Sequence, residues 1–409
     1  MPVDDLWYLS KRGPNDERLR SARYGRGKRW RVRYIDDEGR PKALLFERKA
    51  DAEAHDARMR ADVSRGVYVD PTAGKVTVAN YFAEWRKLQL HADSTEIKTE
   101  WAHRLHIAPT PLGRMAIAQA RRSHVQAWVL DRAKVLEPSS LHPVYAYLAG
   151  MFRAAVLDRV IGHSPCQGIT LPELVVAKRY IATTDEVHAL ADGFAPAGRP
   201  YAQGGHYRAQ VYVAAGAGLR QGEIWGLELE HVDFLRRRIH VVQQLKVISG
   251  RKPFLAPPKT STSVRDLDLP DVTAEALAEH LKRHPIREVE VDDLTDPRRP
   301  RTRKAKLIFL NAAGKPIHRG SFSKPWRRAC AAAGLPEDYT MHALRHYFAT
   351  LLIAAGASVT TVQLALGHAN PTITLNTYAG LWPEATEQVR TLVDAALKRP
   401  DGRRPAAAR

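Results

Sequence analysis

Two breaks rich in Pro, Gly and small residues constrain the fold of this chain most, because they divide it into three segments that must each build a core. The first break is Asp70-Pro71-Thr72-Ala73-Gly74, and the second spans residues 166–179 with Pro172 inside it. Such runs favour turns and linkers. With 409 residues, 44% of them hydrophobic, each segment can bury apolar side chains. We therefore predict a multidomain protein.

The first segment predicts a small sheet-plus-helix module at 26–70, preceded by a basic flexible tail at 1–25. Apolar residues alternate with arginines along one stretch, Trp30, Arg31, Val32, Arg33 and Tyr34. This period of two indicates a half-buried strand with a cationic outer face. A second strand over 43–46 and an alanine-patterned helix ending near Gly66 complete the module.

The second segment, 76–168, predicts a helical bundle, since four apolar stripes recur at helical spacing. Ser123 and Gln126 indicate a capping box at the start of the third helix of this bundle.

The third segment, 178–397, mixes helices and strands, and its pattern from Thr340 onward is helical. Thr183 and Glu186 indicate a capping box near its start. Residues 298–306 are strongly basic and predict an exposed loop. The last residues, 398–409, predict a second basic tail.

The net charge and the composition indicate which class of molecule this protein binds. The formal net charge is +19, which favours a polyanion, with DNA or RNA ahead of a membrane surface. The longest apolar run, at 212–219, is too short to span a bilayer, and no signal peptide is evident. Cys166 and Cys330 are isolated, which argues against a disulfide framework or a Cys-based zinc site and fits a reducing cytoplasm.

Several short motifs of the third segment carry side chains that can do chemistry. Arg220 and Glu223 lie in a glycine-containing turn, and Lys259 follows two prolines at what we predict to be a hairpin tip. His342 and Arg345 share a helix face because they are three residues apart. The spacing of His342 and His346 also fits a metalloprotease helix, but the residue after His342 is alanine where such a helix carries the glutamate base. Each motif alone is most often structural.

The combination of these motifs is more informative than any one of them. In chain order it offers three cations, two imidazoles and one phenol: Arg220, Lys259, His342, Arg345, His368 and Tyr378. Arginine forks can hold the non-bridging oxygens of a phosphodiester and offset the charge of its transition state. A tyrosine can attack the phosphorus, a lysine can protonate the departing oxygen, and histidines can donate hydrogen bonds or move protons. No carboxylate cluster suited to Mg²⁺ occurs in these motifs, which argues against a two-metal nuclease.

The order and spacing of these residues resemble the tyrosine recombinase family, the phage-type integrases. The Arg-x-Gly-Glu turn, the His-x-Leu-Arg-His helix, the Leu-Gly-His step and a tyrosine ten residues later all match, over about residues 180–390. Two positions differ from many relatives, since Tyr347 follows the second histidine of the helix motif and Gly380 stands two residues after Tyr378. Tyr347 is thus a second candidate nucleophile, which we discount because it should pack within its helix.

The resemblance implies a fold that is mostly α with small β-sheets, in three parts. These are an arm-type DNA-binding module at 26–70, a helical core-binding domain at 76–168 and an α+β catalytic domain at 178–397. It also implies roles for the site residues. Tyr378 would be the nucleophile and Glu223 a supporting residue, while the phosphate-activating pocket would comprise Arg220, Lys259, His342, Arg345 and His368. Arg31 and Arg33 are our candidates for arm-site DNA contacts.

The implied activity is site-specific recombination of double-stranded DNA through a 3′-phosphotyrosine and a Holliday junction, without metal, ATP or other cofactor. The implied assembly is a homotetramer on DNA, with a C-terminal helix at 385–397 docking on a neighbouring protomer. A monomeric free state and accessory DNA-bending or directionality factors are compatible with it. Three alternatives stay open: a type IB topoisomerase, a non-catalytic regulator on a recombinase scaffold, and a basic architectural DNA-binding protein.

Overall fold

The computed structural model describes residues 3–35, 41–64, 73–174, 179–194, 205–378 and 381. The chain divides into two compact units, Met1–Ala177 and Lys178–Arg409. The predicted fold class, multidomain and mostly helical with small sheets, is confirmed. Within the residues described, no helix is both long and apolar enough to cross a membrane.

The first unit begins with strands and one helix. In chain order these are β1 (Val3–Asp5), β2 (Tyr8–Arg12), β3 (Arg18–Arg20), β4 (Trp30–Ile35), β5 (Pro41–Phe46) and α1 (Lys49–Ser64). Strands β1, β4 and β5 form an antiparallel sheet in that order, and β2 pairs with β3. The predicted strand of alternating residues is therefore the central strand, and Val32 and Tyr34 are buried on its inner face.

The prediction of a flexible tail at 1–25 is wrong from residue 3 onward. Asp4 and Asp5 lie in β1. Asp4 forms ion pairs with Arg31 and Arg33 of β4, and Asp5 pairs with Arg29, which precedes that strand. Tyr24 packs against Trp7 and Tyr8, with ring centroids 5.8 and 5.4 Å apart. Two acidic residues and three aromatic rings thus fold a segment whose basic composition suggested a solvated tail.

The rest of the first unit is the predicted helical bundle. Its helices are α2 (Val78–Lys87), α3 (Asp93–Ala102), α4 (Pro111–Arg114), α5 (Arg122–Arg132) and α6 (Pro138–Leu157), with a π-helical turn at His103–Ile107. Phe82, Trp128, Leu148 and Phe152 are buried in its core.

The capping box expected at Ser123 and Gln126 is wrong. Helix α5 begins at Arg122, and His124 Nδ1 accepts the N–H of Arg121 at 3.2 Å. The Gln126 amide instead exchanges two hydrogen bonds with the backbone of Thr170.

The second unit packs helices around two small sheets. Its helices are α7 (Thr184–Asp192), α8 (Arg208–Ala217), α9 (Gln221–Trp225), α10 (Asp271–Arg283), α11 (Arg319–Ala332), α12 (Met341–Ala354), α13 (Val359–Leu366) and α14 (Pro371–Tyr378). Its strands are β6 (Val232–Asp233), β7 (Arg238–Val241), β8 (Gln244–Lys246), β9 (Phe254–Ala256), β10 (Arg265–Asp268), β11 (Val289–Asp293) and β12 (Arg301–Ala305). The capping box at Thr183 and Glu186 is confirmed by reciprocal hydrogen bonds of 2.7 and 3.2 Å.

The two sheets of this unit correct two local predictions. One sheet has the order β10-β7-β6 and the other β12-β11-β9-β8, so β9 and β10 belong to different sheets. Lys259 therefore lies in a connection between sheets and not on a hairpin tip. The basic run at 298–306 is not a loop throughout, because residues 301–305 form β12, where Arg303 pairs with the buried carboxylates of Glu228 and Asp293.

The predicted C-terminal helix at 385–397 and the basic tail at 398–409 lie outside the described residues. The described chain ends its last helix, α14, at Tyr378.

Candidate active site

The Arg345 guanidinium is held by the ends of two other helices. Its side chain is 2% exposed and donates from Nη1 to the Gly218 carbonyl, at 2.7 Å, and from Nη2 to the Leu366 carbonyl. These carbonyls belong to the C-terminal ends of α8 and α13, where helices present unpaired acceptors and a partial negative charge. Burial, and then the charge of Arg220, lowers the pKa of Arg345.

Arg220 lies beside Arg345 in a network of side chains. It precedes α9 and donates from Nη1 to Glu223 Oε1 at 2.7 Å and to Ser263 Oγ at 3.0 Å. Its Nη2 donates to the Gly367 carbonyl at 3.2 Å. About a quarter of its side chain stays exposed, so this guanidinium is open to a ligand.

Glu223, for which we predict a supporting role, contacts two arginines. Its carboxylate is 2% exposed and accepts from Arg220 and, at 3.0 Å, from Arg265 Nη2. Burial alone would raise the pKa of Glu223, but the charges and hydrogen bonds of Arg265 and Arg220 lower it overall. Glu223 is therefore an anion that fixes both guanidinium groups.

The Leu-Gly-His step forms the third side of the site. Gly367 ends α13 in the left-handed conformation, with φ +61°, which directs the carbonyls of Leu366 and Gly367 at the two arginines. His368 follows, and its Nδ1 is 2.9 Å from Thr374 Oγ1. Desolvation, and then the charges of Arg345 and Arg220, lowers the pKa of His368 to about 4, so this ring is neutral at pH 7.

His342 is on the first turn of α12, one turn before His346, with the two ring centroids 4.8 Å apart. Desolvation, followed by the charges of Arg345 and Arg220, lowers the pKa of His342. Lys259 is exposed and precedes Thr260, whose hydroxyl is 2.8 Å from Ser263 Oγ. The structure thus places the exposed Lys259 next to the loop in which Ser263 contacts Arg220.

Tyr378 is at the last residue of α14 and is 4% exposed. Its hydroxyl is 2.6 Å from His346 Nδ1. Burial raises the pKa of Tyr378 to about 12, although the charge of Arg345 opposes this. The alternative tyrosine, Tyr347, is buried in the main core, and its hydroxyl is 2.8 Å from Thr184 Oγ1. The two phenols therefore have different partners, and Tyr378 is the one whose pKa responds to the charge of Arg345.

Three residues that contribute to this site, Arg265, Ser263 and His346, were given no role from the sequence. Arg265 is buried and joins Glu223 to the Ala365 carbonyl, and Ser263 joins Arg220 to Thr260. His346 contacts the Tyr378 hydroxyl directly. His346 was visible in the helix motif, whereas Arg265 had no signal beyond its position in a strand.

The two arm-site candidates share one carboxylate. Arg31 and Arg33 are on β4, and Asp4 accepts from both, at 3.0 Å from Arg31 Nη2 and 2.8 Å from Arg33 Nε. This face of the sheet is therefore less positive than the two arginines alone would make it. No group of three or more His, Cys, Asp or Glu side chains that could hold a metal ion occurs in the described parts of the chain.

Comparison with known proteins assigns the second unit to a family. Residues 183–384 match the family model described as phage integrase family. This part of the chain belongs to the phage integrase family of tyrosine recombinases. A curated relative, the tyrosine recombinase XerC-like protein of Caldanaerobacter subterraneus subsp. tengcongensis, is 25% identical over 86% of this chain and 91% of its own length.

Solved structures of other integrases share the fold. The Tn1549 transposon integrase in complex with transposon right end DNA is 22% identical, with a TM-score of 0.67 over 79% of this chain and 100% of that one. A lambda integrase tetramer bound to a Holliday junction is 16% identical, with a TM-score of 0.53 over 83% of this chain and 93% of that one.

Proposed function

We propose that this phage integrase family protein is a site-specific DNA recombinase that cuts and rejoins DNA through a 3′-phosphotyrosine intermediate. One observation carries the proposal. Two guanidinium groups, of Arg220 and Arg345, are fixed at adjacent backbone carbonyls of Leu366 and Gly367, and the buried phenol of Tyr378 follows in the next helix. This arrangement suits the binding of a phosphodiester in front of a nucleophile.

The two arginines supply charge to the transition state. Both are held in place before substrate arrives, Arg220 by Glu223 and Arg345 by carbonyls, so little reorganisation accompanies the reaction. Their remaining N–H groups donate to the non-bridging phosphate oxygens, where negative charge increases as the phosphorus becomes pentacoordinate. His342 and His368 lie beside them and donate further hydrogen bonds.

Tyr378 Oη attacks the scissile phosphorus, and the bond to the 5′ oxygen breaks. The product is a 3′-phosphotyrosine and a free 5′ hydroxyl, which conserves the phosphodiester for religation without an external energy source. Lys259 protonates the departing 5′ oxygen. Its exposed position allows the ammonium to reach a bound DNA strand, which enters from solvent.

Double-stranded DNA is the substrate, and a homotetramer on two duplexes is the working assembly. The net charge of +19 favours this partner, and the related lambda integrase was solved as a tetramer on a Holliday junction. The N-terminal sheet contributes arm-site contacts through Arg31 and Arg33. Accessory DNA-bending or directionality factors act with the tetramer on long attachment sites.

The test is covalent capture of DNA in EDTA. The full-length protein and its Tyr378→Phe variant are each incubated with sheared genomic DNA of the organism that encodes the chain, then denatured in SDS. Protein-linked fragments are precipitated and sequenced. We expect fragments from a defined locus with the parent and none with the variant, because Phe lacks the attacking oxygen.

Two controls make the result decisive. Tyr347→Phe should capture the same fragments as the parent, since its hydroxyl contacts Thr184 Oγ1 instead of a side chain of the proposed pocket. Noncovalent DNA affinity of Tyr378→Phe should stay within about twofold of the parent, because one hydroxyl is lost from a large cationic surface. Equal covalent capture by parent and Tyr378→Phe would contradict the proposal.

A further inference from the structure

The nucleophile of the proposed reaction has a histidine at its hydroxyl that the sequence reasoning left without a role. Tyr378 Oη and His346 Nδ1 are 2.6 Å apart, and the ring centroids are 5.5 Å apart. The two residues come from different helices, α14 and α12, so tertiary packing and not local sequence brings them together. His346 is half-buried.

The other groups of the site are less suited to accept the tyrosine proton. Arg345 and Arg220 are cations that only donate. His368 Nδ1 is 2.9 Å from Thr374 Oγ1, and the His342 ring packs edge-on against the His346 ring. Among the site side chains, His346 is the one with a ring nitrogen within hydrogen-bond distance of the attacking oxygen.

We propose that His346 is the general base for Tyr378, an inference that rests on the recombinase function proposed above. In cleavage, the Tyr378 proton moves from Oη to Nδ1 as the Oη–phosphorus bond forms and the bond from phosphorus to the 5′ oxygen breaks. The departing oxygen takes its proton from a separate donor, Lys259. In religation His346 returns its proton to the leaving phenolate, so no proton is gained or lost over the cycle.

The protonation state in the free protein fits this role. The groups that face His346 are His342 and Arg345 on α12, Tyr378 on α14, His368 before α14, and Arg179. Desolvation, followed by the influence of His342, Arg179 and Arg345, lowers the pKa of His346 to about 4. The ring is therefore neutral at pH 7. The proposed role requires the tautomer in which Nδ1 accepts from the Tyr378 hydroxyl and Nε2 carries the proton. A bound phosphate offsets the neighbouring positive charge and makes this nitrogen more basic at the moment of attack.

The first test compares the parent with His346→Asn across pH 6–9. An Asn amide oxygen can accept the Tyr378 hydrogen bond but cannot accept the proton. The substrate is a nicked duplex of the locus recovered by covalent capture, used in single-turnover cleavage. We expect the parent rate to be nearly independent of pH, because its base is already unprotonated throughout this range. The variant should be slower by about 10²–10⁴, with a rate that rises about tenfold per pH unit as hydroxide replaces the base.

Two further measurements separate a base from a structural role. The first uses His346→Ala, in which added imidazole should restore part of the cleavage rate by occupying the vacated space. The second uses DNA with sulfur in place of the scissile 5′ oxygen, a leaving group that needs no proton. With this substrate, Lys259→Ala should cleave at close to the parental rate, whereas His346→Asn should still cleave slowly. Thermal unfolding of each variant reports whether it is folded.

The outcomes distinguish this inference from the proposed function. Parental cleavage with an unchanged rate in His346→Asn would contradict the role of His346 alone. A second combination of results would also contradict it. In that case His346→Asn would cleave more slowly but with the same pH dependence as the parent, and added imidazole would not restore cleavage by His346→Ala. Absence of any covalent product with the parent would instead contradict the recombinase function itself.

Discussion

Arg345 is a charged side chain in the interior, and its position explains how the site is built. Two backbone carbonyls, of Gly218 and Leu366, compensate for the loss of water around the guanidinium. Removing one partner of a buried charged hydrogen bond costs more than the bond contributes, because the other partner stays buried without solvent. The same contacts that stabilise the fold thus fix the charge that the proposed reaction uses.

Lys259 contrasts with Arg345 because it is exposed, and this contrast gives a prediction at the residue scale. Lys259→Ala should leave the unfolding temperature nearly unchanged, since surface substitutions away from packed features usually change stability by less than about 0.5 kcal/mol. Its single-turnover cleavage rate should fall about 10²–10⁴, as for loss of a general acid. Lys252→Ala, another exposed lysine of the same unit, is the matched control and should cleave like the parent. Equal rates for both variants would show that Lys259 does not protonate the leaving group.

Residue identities at the site were largely predictable, whereas their contacts were not. Arg220, His342, Arg345, His368 and Tyr378 stand in motifs whose order and spacing can be read along the chain. The contacts of Arg265 with Glu223, and of His346 with Tyr378, join positions 42 and 32 residues apart. Such pairs depend on how helices pack, which periodicity within one element does not describe.

At the scale of elements, the C-terminal ends of helices α8 and α13 position the guanidinium groups of Arg345 and Arg220. Both end in a left-handed glycine, Gly218 with φ +62° and Gly367 with φ +61°. A Cβ at Gly218 would lie 2.3 Å from the Phe348 ring, and one at Gly367 would lie 3.1 Å from both Arg265 Cδ and the Thr262 carbonyl. Glycine is required at these two positions by backbone conformation and by space together.

A matched pair of glycine substitutions tests this positioning. Gly356 also has a left-handed conformation, with φ +83°, but nothing lies within 4 Å of a Cβ built there. Gly356→Ala should therefore cost only the backbone strain, about 1–2 kcal/mol, and leave cleavage by the folded protein unchanged. Gly367→Ala should cost a similar strain and also lower the cleavage rate, because the new methyl crowds the Thr262 carbonyl and Arg265, which holds Glu223.

The comparison is made by thermal unfolding and single-turnover cleavage at a temperature where both variants are folded. A Gly367→Ala protein that cleaves as fast as Gly356→Ala would contradict the positioning role of this helix end.

Capping boxes show how far elements can be predicted from sequence. The Thr183–Glu186 pair forms reciprocal bonds as expected, since it precedes an apolar run at the start of α7. Ser123 and Gln126 have the same spacing but lie inside α5, where Gln126 binds Thr170, 44 residues away. The local pattern is the same in both cases, and the tertiary partner of Gln126 decides the difference.

At the scale of the whole molecule, charge alone misrepresents the N-terminal region. Its basic residues suggested a solvated tail, yet Asp4 and Asp5 anchor β1 to the arginines of the sheet. Net charge indicates which class of partner the molecule binds. In the N-terminal region, however, it is the ion pairs of Asp4 and Asp5 that show why a basic segment is folded.

Because Asp4 pairs with both Arg31 and Arg33, substituting Asp4 and substituting the two arginines should change DNA affinity in opposite directions. If the β4 face contacts arm-site DNA, Asp4→Asn should tighten binding of the full chain to attachment DNA, because it releases the guanidinium groups of Arg31 and Arg33. Arg31→Ala with Arg33→Ala should weaken binding and make it less dependent on salt. Binding is measured by titration at several salt concentrations. Unchanged affinity in both proteins would exclude this face from the DNA contact.

The most direct test of the account is to identify the residue that carries covalent DNA. Captured complexes of the full-length parent are digested with nuclease and protease, and the nucleotide-bearing peptide is sequenced by mass spectrometry. We predict a nucleotide attached to Tyr378, the phenol beside Arg345 and His346. Attachment to Tyr347 or to any other residue would contradict the assigned nucleophile and, with it, the proposed arrangement of the active site.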